Sequence, residues 1–227
     1  MPSRPEAVAF DVIETLFPLE PLRQRLVAAG LPAYILETWF AQILRDGFAL
    51  DTAGVFRPFR EVAADTLSRF LAEYGLAAGN DEVETVLAGF SRLDAHADVA
   101  PALAMLRANG VYAMAVTNGS AAVTHTLLGR AGLEDMLERV VSIDEVGHWK
   151  PCREVYARCV DLAGIRPRQL ALVAAHGWDV QGAGRAGLMT GYVRRDGLAV
   201  PATIERPDAV GADLIDVLDQ LFGLTAR

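Results

Sequence analysis

Five short apolar runs bounded by turn residues punctuate the chain: "AVAF" at 7–10, "VYAMAV" at 111–116, "RVVSI" at 139–143, "LALVAA" at 170–175 and "LMTGYV" at 188–193. Continuous apolar runs of this length, unlike alternating ones, suit strands buried on both faces. From "DVAPALAMLRANG" onward they alternate with segments whose apolar residues recur at three-and-four spacing, the period of a helix lying on a sheet. The pattern predicts an α/β fold with an open, doubly wound parallel sheet and crossover helices on both faces. The tail "ADLIDVLDQLFGL", 212–224, closes it as a helix.

About a hundred residues separate the first run from the second, and none of them reads as a strand. Instead "LEPLRQRLVAAG", "AYILETWFAQILRDGFAL", "FREVAADTLSRFLAEYG" and "NDEVETVLAGFSRL" carry the helical period, punctuated by Gly30, Gly75 and Asn80. A crossover needs only a dozen or so residues, so the excess is expected to be a separate helical cap. The boundaries predicted are 1–16 and 97–227 for a Rossmann-like core and 17–96 for the cap.

Composition narrows the function classes. With 227 residues, 52% of them hydrophobic, the chain can bury a large core without staples. The 29 acidic against 21 basic residues leave a formal charge of -8, and no basic cluster is interleaved with aromatics, so no nucleic-acid partner is expected. No apolar run approaches the roughly 20 residues that span a bilayer, and the first residues lack a signal-peptide core. Cys152 and Cys159 lie seven positions apart on one expected helix, too far to bridge, and read as reduced thiols that pack as small hydrophobes. These features together predict a cytoplasmic protein with no membrane partner.

In open parallel sheets, ligands bind beyond the carboxyl ends of the strands. Asp11 follows the first run, Thr117 and Asn118 follow the second, Lys150 comes shortly after the third, and Asp179 follows the fourth. A carboxylate is a weak nucleophile in water. Held by an ammonium and other donors, it can attack an electrophilic carbon or phosphorus. A second carboxylate can orient the lysine or activate the water that hydrolyses the intermediate.

Four motifs now stand in order: "DVIETL" with Asp11 and Thr15, "TNGS" with Thr117 and Asn118, "KP" with Lys150 followed by Tyr156, and "HGWD" with His176, Trp178 and Asp179. On these motifs the chain resembles the haloacid dehalogenase superfamily, of the type with a helical cap after the first strand. The superfamily's phosphatases place a second Asp two residues after the nucleophile and an acid four residues before the last motif's Asp. Those positions hold Ile13 and Ala175, which leaves a magnesium site short of oxygen ligands. Both features resemble the metal-independent L-2-haloacid dehalogenase branch, and Trp39, Phe59, Lys150, Tyr156 and Trp178 fall where its residues stand. That branch has a halide-binding Arg directly after the cap tryptophan, where this chain has Phe40; it has Ser and Asn where Ala174 and His176 stand. Arg45 and Arg57 are the cap cations that could substitute, although Arg45 lies off the helical face of Phe40.

The resemblance implies an aspartate-nucleophile hydrolase acting on a small organic acid, with Asp11, Lys150 and Asp179 catalytic. Thr15, Thr117, Asn118, Phe40, Phe59, Tyr156, His176 and Trp178 would bind substrate. No metal or other cofactor is expected, magnesium entering only if the chain is a phosphatase; a binding-only protein is the other alternative. Dimerisation is implied by the resemblance alone. Plain structural roles stand beside these readings. Asp11 could cap a following helix, and Glu14 reads as a first-turn acid complementing a helix dipole, with a proton-donor role as the alternative. His176 either titrates as a base or donor or replaces an amide hydrogen bond. His96, His125 and His148 are expected to be peripheral.

Overall fold

The computed structural model describes residues 4–76, 79–195, 197 and 199–223. Strands β1 (Ala7–Asp11), β2 (Tyr112–Thr117), β3 (Arg139–Ser142), β4 (Leu170–Ala174), β5 (Met189–Val193) and β6 (Ala209–Gly211) form one sheet in the order β3-β2-β1-β4-β5-β6. Every pairing is parallel. Each apolar run foreseen is a strand, displaced by one residue at most at either end. β6 went unforeseen because three residues after Pro207 and Asp208 are too few to show a pattern.

After β1 the described residues form α1 (Pro21–Ala28), α2 (Ile35–Thr52), α3 (Phe59–Glu73) and α4 (Asn80–Leu87), followed by a short 3₁₀ turn and then by α5 (Val99–Ala108) on the way to β2. The remaining helices are α6 (Ala121–Arg130), α7 (Ile143–Val146), α8 (Arg153–Ala163), α9 (Gly177–Arg185) and α10 (Leu214–Phe222). Leu224, last residue of the foreseen tail helix, lies outside the described residues. α5 packs on β2 and against α10, whereas α9 packs on β4 and β5 and against α8. With right-handed crossovers these two pairs cover opposite faces of the sheet, and β1, β4 and the inner residues of β2 and β5 are fully buried. No described helix is long and apolar enough to cross a membrane.

Strand order reverses at β1 and β4, the place where a doubly wound sheet opens a crevice at its carboxyl edge. Asp11 ends β1, and His176 to Asp179 follow β4. Trp149 joins the helical insert to that edge. Its indole Nε1 donates to Arg57 O at 2.8 Å, and its ring packs so tightly on α2 that a Cβ on Gly47 would meet it at 2.6 Å. A glycine in mid-helix costs about 1 kcal/mol relative to alanine; here close approach of the Trp149 ring is the reason for it.

Candidate active site

After β1 the backbone folds back on itself. Leu16 N and Phe17 N both donate to Val12 O, at 2.8 and 3.1 Å, and Glu14 N donates to Phe17 O at 2.8 Å. Glu14 adopts a φ of 67°, the left-handed region usually left to glycine. Its Oε1 accepts from Leu19 N at 2.7 Å and so ties down the exit of the turn. The next helix begins only at Pro21, so Asp11 caps no helix, and the expectation that Glu14 is a first-turn acid is corrected.

The turn aims Thr15 back at Asp11, whose Oδ2 accepts from Thr15 Oγ1 at 2.6 Å. Thr15 Oγ1 in turn accepts from Ala175 N at 2.9 Å, linking the loops after β1 and β4. Lys150, completely buried, places Nζ 2.6 Å from Asp11 Oδ1, 2.7 Å from Asp179 Oδ2 and 3.0 Å from Val116 O. Asp179 is completed by Tyr156, whose hydroxyl donates to Oδ1 at 2.6 Å. Asn118 Oδ1 accepts from Lys150 N at 3.0 Å and so holds the backbone of the lysine loop. Thr117 Oγ1 accepts from Gly119 N at 2.9 Å. His176 lies with Nδ1 3.0 Å from Asp11 Oδ2 and its ring stacked on Trp178, centroids 5.0 Å apart.

The electrostatics follow from one ammonium between two buried carboxylates. Burial opposes ionisation of Asp11, but the Lys150 charge and the contacts with His176 outweigh it and hold this carboxyl well below the usual carboxylate range. Burial lifts Asp179 above its ordinary value despite Lys150, and the Asp11 charge adds to the rise. Lys150 is itself raised, because the two carboxylates overcome the desolvation that would lower it. Burial and the charge of Asp179 push the Tyr156 phenol far up, keeping it a neutral donor.

A magnesium ion, which the phosphatase branch implies, keeps near-octahedral oxygen coordination at roughly 2.0–2.1 Å. Ile13 and Ala175 offer no side-chain oxygen, and the Lys150 ammonium already bridges Asp11 and Asp179. The donor set does not fit a hard divalent cation.

Above this edge the insert presents aromatic rings. Phe48 lies edge-on to Trp149 and Trp178, at 6.3 and 5.1 Å, and Phe59 packs on Trp149 at 5.9 Å. Phe40 faces His176 at 6.1 Å. Two cavities flank the edge. One of about 200 Å³ is lined by Ile13, Phe59, Phe90, Thr117 and Ser120 among others. The other, about 480 Å³, is lined by Glu14, Leu36, Phe40, Leu44 and His176, together with Arg23. Arg45 and Arg57 line neither of them; both are more than half exposed and face Asp46 and Glu61. Arg23, the one arginine among the described residues of the larger cavity, is paired with Glu20 and Glu37.

Two residues of this assembly escaped the sequence. Arg195 donates through Nε and Nη2 to Thr15 O, at 2.9 and 2.6 Å, and through Nη1 to Asp98 at 2.8 Å. It thereby fixes the turn that carries Thr15. Trp149 was hidden beside Lys150. His148 is not peripheral as expected, since its Nδ1 lies 3.1 Å from Asp51 Oδ1 on α2. Cys152 stands at the N-cap of α8 and only Cys159 lies within the helix; both are free thiols.

A parallel sheet whose switch point holds a buried Asp–Lys–Asp edge, with helices inserted after the first strand, places the chain among the doubly wound α/β proteins. The chain belongs to the haloacid dehalogenase-like hydrolase family, whose model matches residues 5–187. It is 25% identical over 191 residues to (S)-2-haloacid dehalogenase 1 of Pseudomonas sp. strain CBS-3, covering 83% of this chain and 84% of that one. It is 28% identical over 203 residues to a glyceraldehyde 3-phosphate phosphatase of Methanopyrus kandleri, covering 84% of each. The crystal structure of the L-2-haloacid dehalogenase RSc1362 superposes with a TM-score of 0.90 at 26% identity, over 96% of this chain and 99% of that one.

Proposed function

We propose that this hydrolase removes halide from the 2-carbon of a small organic acid through an aspartyl ester, with Asp11 as nucleophile. One Asp11 carboxylate oxygen forms a bond to the substrate carbon as the carbon–halogen bond breaks, and the halide leaves with the bonding pair. Water then adds to the Asp11 carbonyl carbon, one of its protons passing to the departing alkoxide oxygen and the other to solvent, and collapse of the tetrahedral intermediate releases the 2-hydroxy acid and restores the carboxylate. Lys150 stabilises the charge on Asp11 in both steps, and Asp179, held by Tyr156, keeps the ammonium in place. Residues 17–96 act as the cap, whose aromatic rings exclude water from the site.

The observation that carries this reading is the Lys150 ammonium, 2.6 Å from an Asp11 that has no proton-transfer partner at Ile13 and no metal-binding partner at Ala175. The dehalogenase relatives support it. The Methanopyrus kandleri relative keeps phosphate-ester hydrolysis as the second reading. In place of an arginine beside the departing halide, Phe40 and His176 form the wall, which favours a larger or more apolar haloacid over the simplest ones.

The test is halide release from a series of 2-haloacids, with and without chelator, repeated with Asp11→Asn. Chelator-resistant turnover that falls by about 10⁴-fold or more in the variant is the expected result. Magnesium-dependent phosphate release with no halide release from any 2-haloacid would overturn the assignment.

A further inference from the structure

We propose that Asp51, His148 and Cys152 form a binding site for a divalent transition metal of the zinc type, which clamps the insert helix α2 to the loop that carries Lys150. Each residue offers one ligand atom, and these atoms lie within 4.8 Å of one another. Asp51 Oδ1 and His148 Nδ1 are 3.1 Å apart. Nitrogen and oxygen ligands at about 2.0–2.2 Å and sulfur at about 2.3 Å from a tetrahedral metal are separated by roughly 3.3–3.7 Å, so the Asp51–His148 pair is already near that spacing and the Cys152 thiol closes on an ion from within 4.8 Å. One carboxylate, one imidazole and one thiol make a borderline-soft set that suits zinc and disfavours magnesium or calcium.

The surroundings also favour a cation. Asp51 lies in the last turn of α2, where the backbone carbonyl end is negative and no basic residue stands. The His148 side chain is 43% exposed and leaves an entry path from solvent. Three protein ligands leave a fourth position for water. Cys152 Sγ now donates to Glu154 Oε2 at 2.8 Å, and burial together with Glu154 holds the thiol up to about 11. On binding, the S–H bond breaks, its proton passes to water, and the thiolate pair is shared with the metal.

The site is distinct from the Asp11 edge but mechanically close to it. Trp149 N donates to Asp51 Oδ1 at 3.2 Å, so the carboxylate that would hold the metal already grips the residue preceding Lys150. Sequence spacing hides the cluster because Asp51 stands 97 residues from His148.

The chelator-stripped full chain is titrated with zinc chloride by calorimetry, and with cobalt(II) chloride by absorbance. One zinc per chain is expected. His148→Ala and Cys152→Ser should each weaken binding at least about tenfold, while circular dichroism shows that both variants stay folded. The cobalt form should show a near-ultraviolet thiolate charge-transfer band that Cys152→Ser abolishes. Asp11→Asn should leave the zinc stoichiometry unchanged, which separates this site from the carboxylates around Lys150. Absence of zinc binding, affinity equal to the parent in both ligand variants, or a cobalt band that survives Cys152→Ser would overturn the proposal.

Discussion

The sheet edge and the insert face that meet across the site are built on opposite principles. The edge is charged and fully engaged: Asp11, Lys150 and Asp179 are buried with ion-pair distances of 2.6 and 2.7 Å, and Thr15 and Tyr156 complete the carboxylates. The insert face is aromatic, with Phe40, Phe48 and Phe59 against His176, Trp178 and Trp149, and its nearby arginines are taken up by acidic partners of their own. Under the proposed mechanism the edge supplies the charge of the chemistry, and the insert supplies shape and dryness.

Lys150→Met breaks the contrast most strongly. It leaves two buried carboxylates without their cation, a change that costs about 3–5 kcal/mol when one partner of a buried pair is removed. Chemical denaturation should show that loss, and kcat/KM should fall by about 10³-fold. The variant also has a pH signature. In the parent, the depressed Asp11 contributes stability that is present above the ordinary carboxylate value and lost as pH falls through its folded value. The raised Lys150 contributes stability that is present below the ordinary lysine value and lost as pH rises through its folded value. The raised Asp179 acts in the opposite sense to Asp11 and weakens the folded state once ionised. Without the ammonium Asp179 is raised further, so on going from about pH 7 to about pH 5 the melting temperature of Lys150→Met should gain more than that of the parent.

Gly47→Ala tests the insert side. The new Cβ would meet the Trp149 ring at 2.6 Å, so overpacking should cost about 1–3 kcal/mol by denaturant titration. KM should rise as the insert shifts, and kcat should fall to the extent that movement of Trp149 carries the neighbouring Lys150 with it. Phe40→Arg is the smallest and most informative change. Placing a guanidinium beside His176 gives the wall at position 40 a cation, and kcat/KM on short 2-chloroacids should rise by about tenfold or more. An unchanged value would mean that leaving-group stabilisation comes from the edge instead.

The edge was legible because strand runs are local and the carboxyl end of each strand is a fixed place. "AVAF" locates Asp11 and "LALVAA" locates Asp179, while Lys150 and Tyr156 follow from their motif. The insert's helices were legible to within a few residues for the same reason, their period being local. What joined them was not. Trp149 reads as one apolar residue between His148 and Lys150, and nothing in "RDGF" says that Gly47 receives its ring. Arg195 lies 180 positions from the Thr15 carbonyl it holds, and one of two adjacent arginines after a strand looks like any surface cation. Glu14 misled for a different reason. A helix did follow, but only after a turn closed by backbone bonds from residues 14, 16 and 17, which the sequence pattern does not mark.

The central claim, that Asp11 itself becomes covalently bonded to substrate, is tested most directly by a single turnover in ¹⁸O-water with enzyme in excess over a 2-haloacid. Mass spectrometry of the peptide containing Asp11 should find one heavy oxygen in its carboxylate, and the released 2-hydroxy acid should carry none. Heavy oxygen in the product with none in Asp11 would show that water attacks the substrate directly and would contradict the account.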